Sequence, residues 1–268
     1  MKVSILVPTL GTRLEELTVL FDSLAKQTNM SFEMILVSQG NHETIELLLN
    51  NYSFSYKQIK IHKKGLSHAR NVGMTYVTGD IVLLSDDDAW YPEGAIEIIL
   101  RNFNSNEFDV ICFEIFDPIS QKYYKNYKTH KKNVAKRQIL KKSSIEICFN
   151  LSKIKKENLI FDENFGLGTK YTSGEENLLL DKLRKQGFII KYIDEIIVYH
   201  RKKEAILIDI TFVKTKSEIC KRILGHFYGY IFVNLLLIKN FNNINNIPKL
   251  NAFLEVLKTS VKGKIESK

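Results

Sequence analysis

Cysteine is scarce in this chain: Cys112, Cys148 and Cys220 are the only three, and no two of them form a CxxC pair. That spacing excludes a zinc ribbon or a dithiol redox centre, and an odd set in apolar surroundings reads as core thiols in a reducing compartment. Proline occurs four times without clustering, so no Pro-rich linker divides the chain, and neither a Ser-rich stretch nor an internal repeat does so. An unbroken apolar run of membrane length is also missing. The longest stretch, Ile223 to Ile238, is interrupted by Gly225, His226, Gly229 and Asn234, which argues against a bilayer span and leaves a membrane-surface location open. Met1-Lys2 leads into a strand-like segment ending at Pro8, too short and too β-like for a secretory leader, so a cytoplasmic protein is expected. An acidic excess is lacking too: 39 Lys and Arg against 30 Asp and Glu give a formal charge of +9, which suits anionic partners as well as plain solubility.

What is present favours a folded α/β protein. The 268 residues are 44% hydrophobic and 26% charged, enough for one large domain with an appendage. Apolar runs at Val3–Val7, Met34–Val37, Gln58–Ile61, Ile81–Leu84 and Val110–Ile115 read as strands. Between them lie segments of helical spacing, such as Leu14, Leu17, Leu20, Phe21 and Leu24. The alternation predicts a mostly parallel sheet flanked by helices, with ligands bound beyond the carboxyl ends of the strands. Thr9, Ser38, Lys63 and an aspartate cluster fall at those ends. Residues 117–172 are less regular: an edge hairpin at Gln121–Tyr127, a basic, mobile loop at Lys128–Lys142, and strand character again at Ile145–Phe149. A helix follows from near Ser173 to Gly187, then strands at Phe188–Ile193 and Ile196–Tyr199, then an apolar helical portion from Ile206. The expected division is a catalytic domain, 1–203, with a C-terminal helical extension, 204–268.

Asp86-Asp87-Asp88 follows the buried-type run Ile81–Ser85 directly. Like charges packed so closely at a strand end call for a cation or hydrogen-bond donors, and oxygen ligands suit Mg²⁺ or Mn²⁺, which bring phosphate groups with them. A solvated acidic turn is the plainer reading.

Three further segments carry candidate chemistry. In Gly65-Leu66-Ser67-His68-Ala69-Arg70-Asn71-Val72-Gly73, a glycine turn and an N-cap serine start a helix on which Ser67, Arg70 and Asn71 share one face. Free amides at the helix start and the Arg70 fork suit a diphosphate, although an ordinary capped helix has the same look. Ser173-Gly174-Glu175-Glu176 matches a capping box; equally, a carboxylate at a helix start, after the Gly-rich loop Phe165–Tyr171, suits a general base. Tyr199-His200-Arg201 ends a strand, where His200 is either a further metal ligand or a structural histidine. Asp80 after Gly79 either ends a turn or approaches the ligand's base.

Taken in order, these pieces resemble family 2 glycosyltransferases of the GT-A fold, particularly those of bacterial capsular and surface polysaccharides. The resemblance covers roughly residues 1 to 203 and rests on Val7-Pro8-Thr9, the Gly65–Gly73 segment, Gly79-Asp80 with Asp86-Asp87-Asp88-x-Trp90-x-Pro92, Ser173–Glu176 and Val198-Tyr199-His200. It implies transfer of a sugar, with inversion, from a nucleotide diphosphate donor, UDP-sugars being favoured, to a glycan or a polyprenyl-diphosphate-linked acceptor. It implies Mn²⁺ or Mg²⁺ on the Asp86–Asp88 segment, with Asp88 the first choice for direct ligation and Asp86 and His200 beside it. Glu176, ahead of Glu175, becomes the base. Pro8, Thr9, Ser38 and Asp80 lie near the nucleoside, and Arg70, Asn71, Asp86 and Asp87 near the diphosphate. Two positions depart from the pattern: Ser38 stands where an aspartate is common, and Asn177-Leu178 replaces an acidic residue after the glutamate pair.

A sugar-phosphate nucleotidyltransferase would carry a Gly-rich loop after the first strand, whereas Pro8–Arg13 has one glycine. A nucleic-acid-binding protein would leave the aspartates facing an anion, so no nucleic-acid partner is expected. A catalytically inactive scaffold is the third alternative, prompted by Ser38. Lys221, Arg222 and Lys239 around Ile223–Ile238 fit a peripheral contact with the inner face of the cytoplasmic membrane, and packing or homo-oligomerisation fits the same segment.

Overall fold

A computed structural model describes residues 1–105, 107–127, 133–202, 208–245 and 248–262. The five apolar runs are strands: β1 (Val3–Thr9), β2 (Phe32–Ser38), β3 (Tyr56–Lys60), β4 (Ile81–Leu84) and β5 (Val110–Asp117). The first four pair in parallel in the spatial order β3-β2-β1-β4. Between them run α1 (Leu14–Ala25), α2 (His42–Leu49), α3 (Leu66–Tyr76) and α4 (Ala95–Phe103). Side chains alternate between the two faces, as a sheet buried on both sides requires. Ile5, Val7, Ile81 and Leu83 join α1 and α4 in one core, while Leu6, Val82 and Leu84 join α3 in the other.

The second half of the sheet is mixed. The edge hairpin is β6 (Lys122–Tyr123), antiparallel to β5. Strand β7 (Ile147–Asn150) wedges antiparallel between β4 and β5, a direction that apolar periodicity alone does not encode. The two strands expected after Gly187 are one, β8 (Ile190–Tyr199), parallel to β5 with register shifts that absorb the polar Asp194-Glu195 step.

The expected basic loop Lys128–Lys142 needs correction over its described part, since residues 128–132 lie outside it. A short helix, α5 (Lys136–Ile139), interrupts it, and Lys142 is buried against Glu146 at 3.4 Å rather than mobile. Helix α6 (Glu175–Lys185) sits where predicted. Beyond it come α7 (Ile210–Leu224), α8 (His226–Lys239) and α9 (Lys249–Lys262), which share a small apolar cluster of their own. Ile219 and Ile223 of α7 also enter the main core beside α6. Among the described residues no helix is long and apolar enough to cross a membrane.

Candidate active site

The aspartates leave the end of β4 and meet groups from four other elements. Thr9, at the end of β1, donates to Asp87 at 2.7 Å and also accepts from the Gly11 amide at 2.9 Å. Pro8, just before it, is buried in register with Val37. Arg13, from the loop after β1, bridges Asp87 at 2.8 Å and Asp88. A two-residue antiparallel bridge between Trp90 and Tyr199 stitches the acidic segment to the end of β8. That bridge places His200 Nε2 3.3 Å from Asp88 Oδ1.

The electrostatics follow from these contacts. Burial alone would raise the Asp88 carboxyl, but His200 and Arg13 outweigh it and hold the group at about 2. Buried Asp87 moves the other way: desolvation raises it despite Thr9 and Arg13. His200 is lowered by burial yet raised on balance by Asp88. Its Nδ1 faces the Arg201 carbonyl oxygen at 2.7 Å, so Nδ1 carries the proton of the neutral ring and the Nε2 lone pair points at Asp88. A lone pair facing a carboxylate needs a proton or a metal ion between them. Two cis ligands of an octahedral cation with bonds of about 2.1 Å stand roughly 3 Å apart, so the His200–Asp88 pair fits a divalent ion. Among the described residues no three His, Cys, Asp or Glu side chains form a complete metal set. A fit therefore requires oxygen ligands from the ligand or water as well.

Arg70 has a different place from the one expected. Its guanidinium is fully buried, with one amino group on Asp86 at 2.8 Å and the other on Glu175 at 2.7 Å. The fork is therefore engaged by two protein carboxylates. Two amides at the start of α3 have protein partners: Gly65 donates to Gln39 at 2.7 Å and Leu66 to the Leu167 carbonyl at 3.1 Å. Ser67 is not the N-cap, a position held by Gly65; its hydroxyl docks the loop through the Phe165 carbonyl at 2.5 Å. Asn71 clamps the Phe161 backbone in both directions.

The glutamate pair opens α6 across Arg70 from the aspartates. Gly174, in the left-handed region at φ +94°, is the N-cap, so the Ser173 capping box does not form. A side chain at Gly174 would collide with Ile219 of α7, so close approach of the helical extension sets where this helix begins. Glu175 is buried against Arg70, and its Oε2, like Arg70 Nε, is buried with no hydrogen-bond partner among the described residues. Glu176 is half-buried. Desolvation and the adjacent Glu175 raise its carboxyl to about 8, against the opposing pull of Arg70 and Lys216. A carboxyl so tuned is suited to proton transfer near neutral pH.

Two expected nucleoside contacts are rearranged. Asp80 precedes β4 and accepts from the Lys2 amide at 2.8 Å, at the amino end of the sheet and away from the other candidates. Ser38 does stand at the carboxyl end of β2, but it is fully buried with its hydroxyl against His42 Nδ1 at 2.7 Å and Gln58 at 3.1 Å. Sequence reading missed Arg13, whose only signal was a cation one short loop after a strand end. It also missed Lys125, which bonds to buried Glu146 at 3.1 Å, and Tyr124, whose ring lies 5.3 Å from that of His200. A cavity of about 470 Å³ opens beside Asp88, His200 and Trp90.

The sheet, covered on both faces, thus gathers acidic residues, a histidine and a candidate base at its carboxyl edge, where such sheets bind ligands. Residues 4–160, more than half of the chain, match Glycosyl transferase family 2, and the chain belongs to that family. It is 29% identical over 219 residues to an uncharacterized glycosyltransferase of Haemophilus influenzae, a match covering 78% of this chain and 72% of that protein. It is 28% identical over 134 residues to the uncharacterized glycosyltransferase YwdF of Bacillus subtilis, covering 46% of this chain and half of that relative's length. In fold it is similar to Staphylococcus aureus TarS 1–349 in complex with UDP-GlcNAc, with a TM-score of 0.72 and 17% identity, covering 98% of this chain and 81% of that one.

Proposed function

We propose that this protein is an inverting glycosyltransferase that moves a sugar from a UDP-linked donor to a hydroxyl of a growing surface glycan or a lipid-linked acceptor. The observation that carries the reading is the ion chain Asp86–Arg70–Glu175, which ties the acidic donor edge to the helix start bearing the tuned Glu176. The UDP-GlcNAc complex of the structurally similar TarS supports the choice of UDP. Membership of family 2 supports the transfer itself.

In this reading Glu176 takes the proton from the acceptor oxygen as that oxygen attacks the anomeric carbon. The bond from that carbon to the diphosphate breaks on the opposite face, so a single displacement inverts the centre. Arg70 fixes Asp86 and Glu175 in register, so a donor held beside the first is aligned with an acceptor at Glu176, the residue next to the second. Asp88 and His200 would hold Mn²⁺ or Mg²⁺, whose charge, when bound, stabilises the departing diphosphate. Arg13 neutralises Asp87 and Asp88 and so limits repulsion of the incoming phosphates. Against a nucleotidyltransferase stands the loop after β1, whose Gly11 amide is already taken by Thr9.

The test is product analysis. Incubation with UDP-sugars one at a time, with Mn²⁺, is expected to release UDP from one of them, and to do so faster once an acceptor glycan is supplied. Release of inorganic diphosphate from a sugar phosphate and UTP, without UDP, would instead establish the nucleotidyltransferase.

A further inference from the structure

Helix α8 presents an apolar face that no described part of the chain covers. Phe227, Tyr228, Ile231, Leu235 and Ile238 are exposed, Phe227 by 70%. At about 100° per residue these five fall within an arc of roughly 100°, while buried Gly229, Val233 and Leu237 lie on the opposite side. The adjacent α9 repeats the arrangement: Leu250, Leu254 and Leu257 are exposed, Leu250 by 69%, and Ala252 and Val256 are buried. Ordinary surfaces carry single exposed apolar residues, whereas contiguous rows on two neighbouring helices mark an interaction surface.

The charge around that surface decides its partner. Residues 208–262 contain eight Lys and Arg against three Asp and Glu, and α8 contains no acidic residue. Of the acidic three, Asp209 caps α7 and Glu218 is paired with Lys221 and Arg222. Lys239, Lys249 and Lys258 stand exposed at the rim of the apolar rows. A second copy of the chain would set one basic rim against another, at a repulsive cost. An anionic lipid surface satisfies both features, apolar rows entering the acyl boundary and lysines meeting the headgroups.

We propose that α8 and α9 form a docking surface for an anionic bilayer. The inference does not use the transfer reaction. Ile219 of α7, which packs against Gly174 at the start of α6, joins these helices to the sheet domain.

The experiment is co-sedimentation of the full chain with vesicles of phosphatidylglycerol and phosphatidylcholine, compared with pure phosphatidylcholine. The bound fraction is expected to be roughly ten-fold higher on the anionic vesicles and to fall with salt. The triple variant F227E/L235E/I238E is expected to lose binding to both vesicle types while keeping UDP binding. A second variant, K239E/K249E/K258E, is expected to lose the preference for the anionic lipid. Equal, weak binding of the native chain to both vesicle types overturns the proposal. So does a native dimer in analytical ultracentrifugation that the triple variant converts to monomer.

Discussion

Replacing Glu176 with Gln is expected to lower the rate of sugar transfer by about 10²–10⁴-fold, the usual contribution of a positioned base. Nucleotide affinity is expected to stay, because the residue lies across Arg70 from the donor edge. The pH profile gives a second readout with a definite sign. Burial and Glu175 raise the Glu176 carboxyl from 4.5 to about 8, so in the free protein at neutral pH the group is mostly protonated. A base must be unprotonated, so kcat/KM should climb about ten-fold per pH unit below that value and level off above it. The residual activity of Glu176→Gln should lack this limb. Stability should run the opposite way. A carboxyl whose folded pKa lies above its unfolded one favours folding less and less as pH rises between the two values, so Glu176→Gln should be more stable than the native chain at pH 8. A variant with unchanged transfer, or a profile flat from pH 6 to 9, would remove Glu176 from the chemistry.

Arg70→Met should cost about 3–5 kcal/mol of stability, measured by urea unfolding. Methionine replaces much of the apolar stem but leaves Glu175 buried with no counter-charge and frees Asp86. Lysine would restore the charge but not the fork that spans two carboxylates, so Arg70→Lys should recover stability only in part and transfer hardly at all. A surface phosphate-gripping arginine would behave otherwise: its loss would weaken UDP binding and leave unfolding unchanged. The two variants thus separate a residue that holds the site together from one that touches the donor.

Much of this architecture was legible in the chain because local patterning carries it. Five apolar runs became five strands, and the aspartates after Ile81–Ser85 fell at the edge where parallel sheets bind ligands. Long-range pairing was not legible. Arg70 and Glu175 are 105 residues apart, and nothing local says that one arginine of an ordinary-looking helix is the largest fully buried side chain in the core. Strand direction was equally hidden: Ile147–Asn150 has the composition of a strand running either way, and only its place between β4 and β5 makes it antiparallel. The pairing of Ser38 with His42 and Gln58 was hidden as well, because these neighbours come from two other elements. For Asp80 after Gly79 the sequence left a turn end and a contact with the ligand's base both open, and the structure puts it before β4, accepting from the Lys2 amide.

The most direct test of the donor site is calorimetric titration of UDP into the native protein and into Asp88→Ala, each with and without Mn²⁺. The account predicts binding by the native protein that strengthens with Mn²⁺, and no Mn²⁺ effect once Asp88 is gone. Failure of the native protein to bind UDP in either condition, or a Mn²⁺ effect that survives in Asp88→Ala, would contradict it.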